Sequence, residues 1–455
     1  MEINNEAFRD RPLNLDEAGN TKRILAKQPK GKWYNRRTVF AWICILFLVL
    51  APIIKINGNP LMLLDIANRK FSLFGNLFFA QDTFIMALIM LVTVVCIVLF
   101  TVIYGRLWCG WACPQTIFLE MIYRRIEYLF EGNPLKNLKN KKEDAFFIFR
   151  RIGKHLSFII ISFLITNVFL MWFTGPDKLL EIISSPISEN QLGFIFMVGV
   201  SLFYYFVYAY LREQICTVFC PYGRLQGVLL DSRSISVIYD FKRGEPRGRK
   251  NEGDCIDCGQ CIAVCPTGID IKNGSQYECI NCTACIDECN NVMKKINKPV
   301  NLIRFDSYNG IETGKKSIFN ARTYAYSAVL LILIFVLGFT VSNRNSIDVS
   351  IIRMPGTMCQ IIDSTNVSNI YNVKIINKTN KAKHIAFKLM EIQGVNLEFT
   401  NDISLIEEGK TIETVLMIKL PKQLLTGRTT NLDIGIFENN TMIAKTVINF
   451  IGPQN

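Results

Sequence analysis

Cysteine is the residue that could do chemistry here, and its spacing says what kind. The run "CIDCGQCIAVCP" begins at Cys255 and "CINCTACIDECN" begins at Cys279; both read C-x2-C-x2-C-x3-C. At this spacing three thiolates hold one [4Fe–4S] cube, while the fourth cysteine of each run reaches across to the other cube. The pattern therefore assigns Cys255, Cys258, Cys261 and Cys289 to one cluster, and Cys279, Cys282, Cys285 and Cys265 to a second. Structural zinc also accepts four thiolates, but two complete runs in one short segment favour clusters. The second run ends in Asn290 where the first has Pro266, which loosens the motif without changing the number of ligands.

A second pattern appears twice. "YGRLWCGWACPQTIFLE" and "YLREQICTVFCPYGRLQ" each place a Cys-x-x-x-Cys-Pro element just after an apolar run, giving Cys109 with Cys113 and Cys216 with Cys220. Proline disfavours the helical conformation in the residue before it and suits the first position of a helix. Cys113 and Cys220 are thus expected at helix N-termini, near Arg106 and near Arg212 or Arg224, where dipole and guanidinium favour thiolate. After Pro114 an apolar face is expected from Ile117, Phe118, Met121, Ile122, Ile126, Leu129 and Phe130, opposite Glu120, Arg124 and Glu127. Leu225, Val228 and Leu229 suggest a shorter helix after Pro221. Four soft thiolates brought together would select Cu(I), zinc or an iron–sulfur centre over hard cations. The competing explanations are small packing residues at a helix corner or a transient disulfide within each pair. Cys44 and Cys96 in apolar runs, Cys359 near the C-terminus, and His155 and His384 read as packing or surface residues.

These residues need elements to position them. Half of the 455 residues are hydrophobic, and five stretches approach the roughly 20 residues that cross a bilayer. They are Val39–Ile56, Thr83–Tyr104, Leu156–Phe173, Gly193–Tyr210 and Tyr324–Ser342. Residues 1–37 are polar and basic, with no apolar core of a signal peptide. Lys22, Arg23, Lys27, Lys30, Lys32, Arg36 and Arg37 precede the first span, and Arg124, Arg125, Lys136, Lys139, Lys141, Lys142, Arg150, Arg151 and Lys154 lie between the second and third. Positive loops face the cytoplasm, so the N-terminus and both Cys-x-x-x-Cys-Pro elements are expected there and the C-terminus in the periplasm. The net charge of +13 fits such loops better than nucleic-acid binding. Beyond the last span, alternating runs such as "SIDVSIIR", "TIETVLMIKL" and "AKTVINF" predict roughly seven strands of an immunoglobulin-like sandwich.

The resulting fold class is a multi-domain membrane protein: a five-span α-helical bundle, an inserted bacterial-type 2[4Fe–4S] ferredoxin domain and a C-terminal β-sandwich. The expected boundaries are a basic segment 1–37, four spans within 38–239, ferredoxin domain 240–300, linker 301–322, fifth span 323–342 and sandwich 343–455. No nicotinamide, flavin, ATP or haem c motif is present, so electrons must come from a partner or from quinol.

The strings "NPLMLLDIANRKFSLFG", "RLWCGWACPQTIFLE", "REQICTVFCPYGRLQG" and "YDFKRGEPRG", with the ferredoxin segment and the C-terminal domain, resemble the cytochrome c oxidase accessory family CcoG, also called FixG or RdxA. The resemblance covers nearly all of the chain beyond residue 35 or so. It implies a protein of the inner membrane that serves assembly of the cbb3-type oxidase and reduces Cu(II) to Cu(I). Cys109, Cys113, Cys216 and Cys220 would then be the catalytic, copper-associated thiols, with copper as substrate or transient ligand. Implied partners are the oxidase assembly machinery or copper-handling proteins; the electron donor is not specified, and a homo-oligomer stays open. Two other readings remain: a polyferredoxin subunit of a quinol-oxidising chain, and a non-enzymatic assembly scaffold or redox sensor.

Overall fold

The computed structural model describes residues 24, 26–66, 70–79, 82–132, 145–248, 252–274, 276–315, 320–344, 346–356, 359–363, 365–379, 381–390, 397–401, 403, 405–425, 427–438 and 441–452. Lys22, Arg23, Lys136, Lys139, Lys141 and Lys142, whose charges bear on the orientation, lie outside the described residues. The chain forms two compact units: residues 1–50, 88–171 and 177–335, and residues 51–87, 172–176 and 336–455.

Among the described residues, five helices are long and apolar enough to cross a bilayer: Lys32–Leu50, Thr83–Tyr104, Ile148–Thr174 within Ala145–Thr174, Gln191–Leu211 and Ala321–Ser342. Their outward side chains are apolar and uncovered, for example Leu331, Phe335 and Phe339 on the last helix. Lipid supplies the missing cover in a membrane protein. The first helix begins seven residues earlier than the Val39 expected from hydropathy and ends before Pro52. The backbone N–H groups of Trp33 and Tyr34 donate to the Asp287 carboxylate at 3.2 and 2.8 Å, capping its first turn. Pro52 cannot continue a helix because it lacks the N–H and clashes with the preceding turn.

In the first unit, residues 301–322 are more than a linker. Strand Ile303–Asp306 pairs antiparallel with Ser236–Tyr239, with Val237 opposite Phe305, and helix Tyr308–Thr313 follows. The pair closes the cysteine-rich segment at both ends, so the ferredoxin fold extends beyond the expected 240–300. Val237, Tyr239, Ile269, Ile286, Leu302 and Ile303 form its buried core.

The second unit holds the sandwich. One sheet has the order 397–399, 411–421, 366–377, 347–353, with 360–361 added to 366–377; the other has the order 405–406, 383–389, 429–438, 441–451. Strand 366–377 runs longer than "NVKIINKT" suggested, and the short strands at 360, 397 and 405 went unanticipated. Inward residues of the two sheets, including Ile375, Leu416, Ile418, Ile434, Ile436 and Phe450, are fully buried. The Tyr371 hydroxyl donates to the Asn449 carbonyl at 3.0 Å, joining strands of different sheets. Residues 62–79 form a three-stranded sheet that belongs to this unit: Lys70 Nζ donates to the Gly409 carbonyl at 3.1 Å. Asp82 pairs with Lys378 at 2.6 Å and with Arg344. Cys359 is partly buried and His384 exposed.

Candidate iron–sulfur and thiol sites

The two Cys-x-x-x-Cys-Pro elements are conformational copies. In each, the second cysteine is extended, with φ/ψ of −63°/124° at Cys113 and −72°/112° at Cys220, and proline opens the following helix. In each, that cysteine's N–H reaches back five residues, Cys113 to Trp108 at 2.9 Å and Cys220 to Ile215 at 2.8 Å. Such widened turns recur at functional sites. Four residues before each first cysteine the chain reverses through positive φ, 57° at Gly105 and 47° at Arg212. Arginine is unusual there; Arg212 is held by Glu127 at 2.7 Å and Glu213 at 3.6 Å. It is therefore committed to carboxylates and not to the thiols, and Arg224 is exposed, so of the expected cations only Arg106 serves a cysteine.

The helix after Pro114 also differs from its expected face. An i→i+5 turn at Leu119–Tyr123 rotates the residues beyond it. Glu120 and Arg124 end up buried rather than solvated, and Leu129 is exposed. Arg124 pairs with Glu120 at 3.2 Å and with Glu213, and also donates to the Pro266 carbonyl at 3.1 Å. After Pro221, Gly223 and Gln226 point inward while Leu225 and Val228 face out.

The structure gathers all four thiols. Cys109, Cys113 and Cys216 lie within electrostatic reach of one another and of Cys220. Cys109 receives a hydrogen bond from Gln226 Nε2 at 3.3 Å. Burial pushes the Cys109 thiol up, against Arg106 and Gln226, which pull it down. Burial likewise raises Cys113, opposed by the N–H groups of Thr116 and Gln115, and pushes Cys216 up to about 12. For Cys113 the expectation of a ready thiolate is therefore corrected: removal from water outweighs the helix terminus. Cys44 packs with Ala41, Ile117 and Met121, Cys96 faces outward from its helix, and His155 Nδ1 is hydrogen-bonded to the Tyr205 hydroxyl at 3.0 Å.

The other eight cysteines line two cavities. Cys255, Cys258, Cys261 and Cys289 surround a space of about 400 Å³, with Tyr239, Gln260 and Leu302. Cys265, Cys279, Cys282 and Cys285 surround one of about 340 Å³, with Cys261 at its edge. Burial pushes Cys261, Cys279 and Cys289 up to about 12 and Cys282 to about 11. Such thiols give up protons only to a strong Lewis acid, and iron is one. A zinc ion would need four sulfurs about 2.3 Å from one point. Among the described residues no three His, Cys, Asp or Glu side chains converge that tightly. Cavities ringed by four spread sulfurs fit a larger group, so the donor set fits [4Fe–4S] clusters better than zinc.

The thiol pairs and the second cavity share a wall. Cys109 packs against the group formed by Val264, Ile280, Cys282 and Ala284, together with Cys285. Trp111 Nε1 donates to the Asn281 carbonyl at 3.2 Å, and Asn281 Oδ1 accepts from the Val237 N–H at 3.1 Å. Gly110 presses directly on the backbone of Ile280–Cys282. Sequence reasoning passed over Gly110, Gln226 and Arg37; the one signal available was a glycine between the two cysteines of "CGWAC".

Known families match along most of the chain. Residues 86–134 match a 4Fe-4S binding domain, residues 211–252 and 245–308 a 4Fe-4S dicluster domain, and residues 337–453 an IG-like fold at the C-terminal of FixG, putative oxidoreductase. Protein RdxA of Cereibacter sphaeroides is 30% identical over 364 residues, covering 75% of this chain and 77% of that protein. Protein RdxB of the same organism is 28% identical over 385 residues, covering 79% and 80%. The nitrogen fixation protein FixG of Rhizobium meliloti is 29% identical over 306 residues, covering 62% of this chain and 57% of that protein. Taken with the cysteine cavities and the five apolar helices, these matches place the chain in the FixG/RdxA family, as an iron–sulfur electron-transfer protein of the membrane.

Proposed function

We propose that this protein reduces Cu(II) to Cu(I) at Cys109, Cys113, Cys216 and Cys220, in the service of cbb3-type oxidase assembly. The observation that carries the reading is the shared wall: Cys109 packs against the buried group of Val264, Ile280, Cys282 and Ala284, on which Cys285 of the second cavity also packs. In this reading Cys255, Cys258, Cys261 and Cys289 hold one [4Fe–4S] cluster and Cys265, Cys279, Cys282 and Cys285 the other. When bound, the clusters supply single electrons. The thiols supply the preference for the product: Cu(II) favours tetragonal nitrogen and oxygen ligands, whereas Cu(I) favours sulfur. Each Cu(II) takes one electron, and each tenfold of one-electron equilibrium corresponds to about 59 mV. Trp111 and Gln226 hold the first pair in place through Asn281 and Cys109.

The basic residues before the first span and after the second support a cytoplasmic site and a periplasmic sandwich. The test is an anaerobic single turnover. Copper-free, cluster-loaded protein is reduced, freed of excess reductant and mixed with Cu(II). The expected result is one Cu(I) formed per electron lost from the clusters, and slow reaction in the quadruple Cys109, Cys113, Cys216, Cys220→Ser variant. Equal rates in the variant would end the copper reading.

One observation favours a second reading. The match to a 4Fe-4S binding domain at residues 86–134 contains Cys109 and Cys113, so the four thiols could instead hold an iron–sulfur group. Iron content separates the two: the copper reading expects the same iron in the wild-type protein and the quadruple variant, whereas the second expects the variant to lose iron.

A further inference from the structure

Near the second cavity stand two buried arginines that form no ion pair among the described residues. Arg37 is 2% exposed and Arg106 5%. Arg37 Nε donates to the Gly110 carbonyl at 2.7 Å, and its Nη2 is buried with no hydrogen-bond partner. That carbonyl belongs to the residue pressed on the Ile280–Cys282 backbone. Arg106 Nη2 donates to the Gly223 carbonyl at 3.1 Å and its Nε to Gln226, whose amide in turn meets Cys109. Among the described residues, neither guanidinium forms an ion pair. A buried charge without a counter-charge costs several kcal/mol, so such residues are kept where an anion completes them.

The first cavity differs. Lys272 lines it, but its cations are paired with acids: Lys272 with Asp257 and with Asp270 at 3.4 Å, and Arg243 with Asp254 at 2.6 Å. The carboxylates on the second side are already engaged. Glu120 pairs with Arg124, and Asp287 accepts the N–H groups of Trp33 and Tyr34. Glu278 is raised by burial and lies within electrostatic reach of Arg106 without forming an ion pair with it.

We propose that Arg37 and Arg106 act as fixed positive charges that make the second cluster the higher-potential one, so that an electron entering the protein comes to rest beside Cys109. Net charge and hydrogen bonding around a cluster set its potential; a cation stabilises the added electron, and burial keeps water from screening it. The transfer is a single electron leaving the first cluster for the second, with no proton moved and no covalent bond changed. The two arginines are positioning residues for charge and touch no substrate. The inference rests on the cluster-ligand assignment of the previous subsection and is independent of copper.

The test is an anaerobic potentiometric titration of full-length, cluster-loaded, copper-free protein with dithionite, followed by EPR. Cys258→Ser marks the first cluster's spectrum. In the wild-type protein the first electron is expected on the second cluster. Arg37→Met and Arg106→Met each lower that cluster's potential by at least a factor of ten in equilibrium, about 59 mV, and leave the first cluster's almost unmoved. Arg37→Lys and Arg106→Lys keep most of the wild-type potential. A first electron on the first cluster, equal shifts in both, or Lys variants as low as Met would overturn the proposal. Should a Met variant assemble only one cluster, the wild-type distribution and the Lys variants decide. If Cys258→Ser perturbs neither spectrum, the ligand assignment falls and the proposal falls with it.

Discussion

Gly110→Ala is a one-carbon test of the wall between the thiol pairs and the second cavity. A Cβ built there stands 2.2 Å from the Ile280 carbonyl oxygen, 3.1 Å from the Cys282 nitrogen and 3.2 Å from the Asn281 carbonyl carbon. All three are backbone atoms, so no side chain can swing aside. To reach even 3.0 Å, the two segments must part by at least 0.8 Å. Overpacking of this kind costs about 1–3 kcal/mol. The movement also pulls the Gly110 carbonyl from Arg37, now 2.7 Å away, and a hydrogen bond to a charged group is worth about 1.5–3 kcal/mol. Losing both would remove roughly 2.5–6 kcal/mol from a fold whose stability is of order 5–15 kcal/mol. The displaced atoms carry Cys282, so the second cluster should suffer first. The assay is iron and sulfide content with EPR, beside thermal unfolding. Gly110→Ala is expected to approach half the wild-type iron, to keep the first cluster's signal and to unfold earlier. Gly199→Ala, in a helix where a Cβ meets nothing within 4 Å, is the neutral control. Full iron content and unchanged stability in Gly110→Ala would refute the shared wall.

Other perturbations should read out separate parts of the molecule. Arg124→Met leaves Glu120 buried without its cation and Glu213 with only Arg212, 3.6 Å away, and is expected to cost about 3–5 kcal/mol, measured by denaturation; Glu213→Gln on top of it should restore part of the loss. Burial alone would raise Asp82, yet hydrogen bonds from Lys378 and Arg344 hold its carboxyl below its usual value. Stability from such a group is present above the unfolded carboxyl value, about 3.9, and is lost as pH falls through the lower folded value. Melting of the sandwich should therefore weaken below about pH 4, and Asp82→Asn should flatten that dependence while lowering stability at neutral pH. The quadruple Cys109, Cys113, Cys216, Cys220→Ser variant is expected to keep wild-type iron and lose copper reduction, checked by iron analysis and the single-turnover assay.

Much of this protein is local in sequence and could be read there. Cysteine runs at fixed spacing constrain short loops, so the expected partition into Cys255, Cys258, Cys261, Cys289 and Cys265, Cys279, Cys282, Cys285 comes from a few dozen residues; these cysteines line two cavities, with Cys261 lining both. Apolar length marked all five long helices because a bilayer demands it, and alternation marked the sandwich because one face of each strand is buried. Errors fell where one segment's fate is decided by another. The first helix starts at Lys32 because Asp287, some 250 residues away, caps it. Glu120 and Arg124 looked like a solvated face until a widened turn aimed them at Glu213.

The sequence by itself determined the chemistry available: twelve cysteines in repeating patterns, beside apolar spans, with a β-rich tail. Only the tertiary structure decided how those cysteines meet. It made the two Cys-x-x-x-Cys-Pro elements copies of one backbone turn, laid Cys109 against the buried group that contains Cys282, and buried Arg37 and Arg106. The physical reason is range. Spacing and hydropathy act over a few residues along the chain, whereas burial, which sets the charge cost of every thiolate and guanidinium here, depends on what the rest of the fold brings alongside.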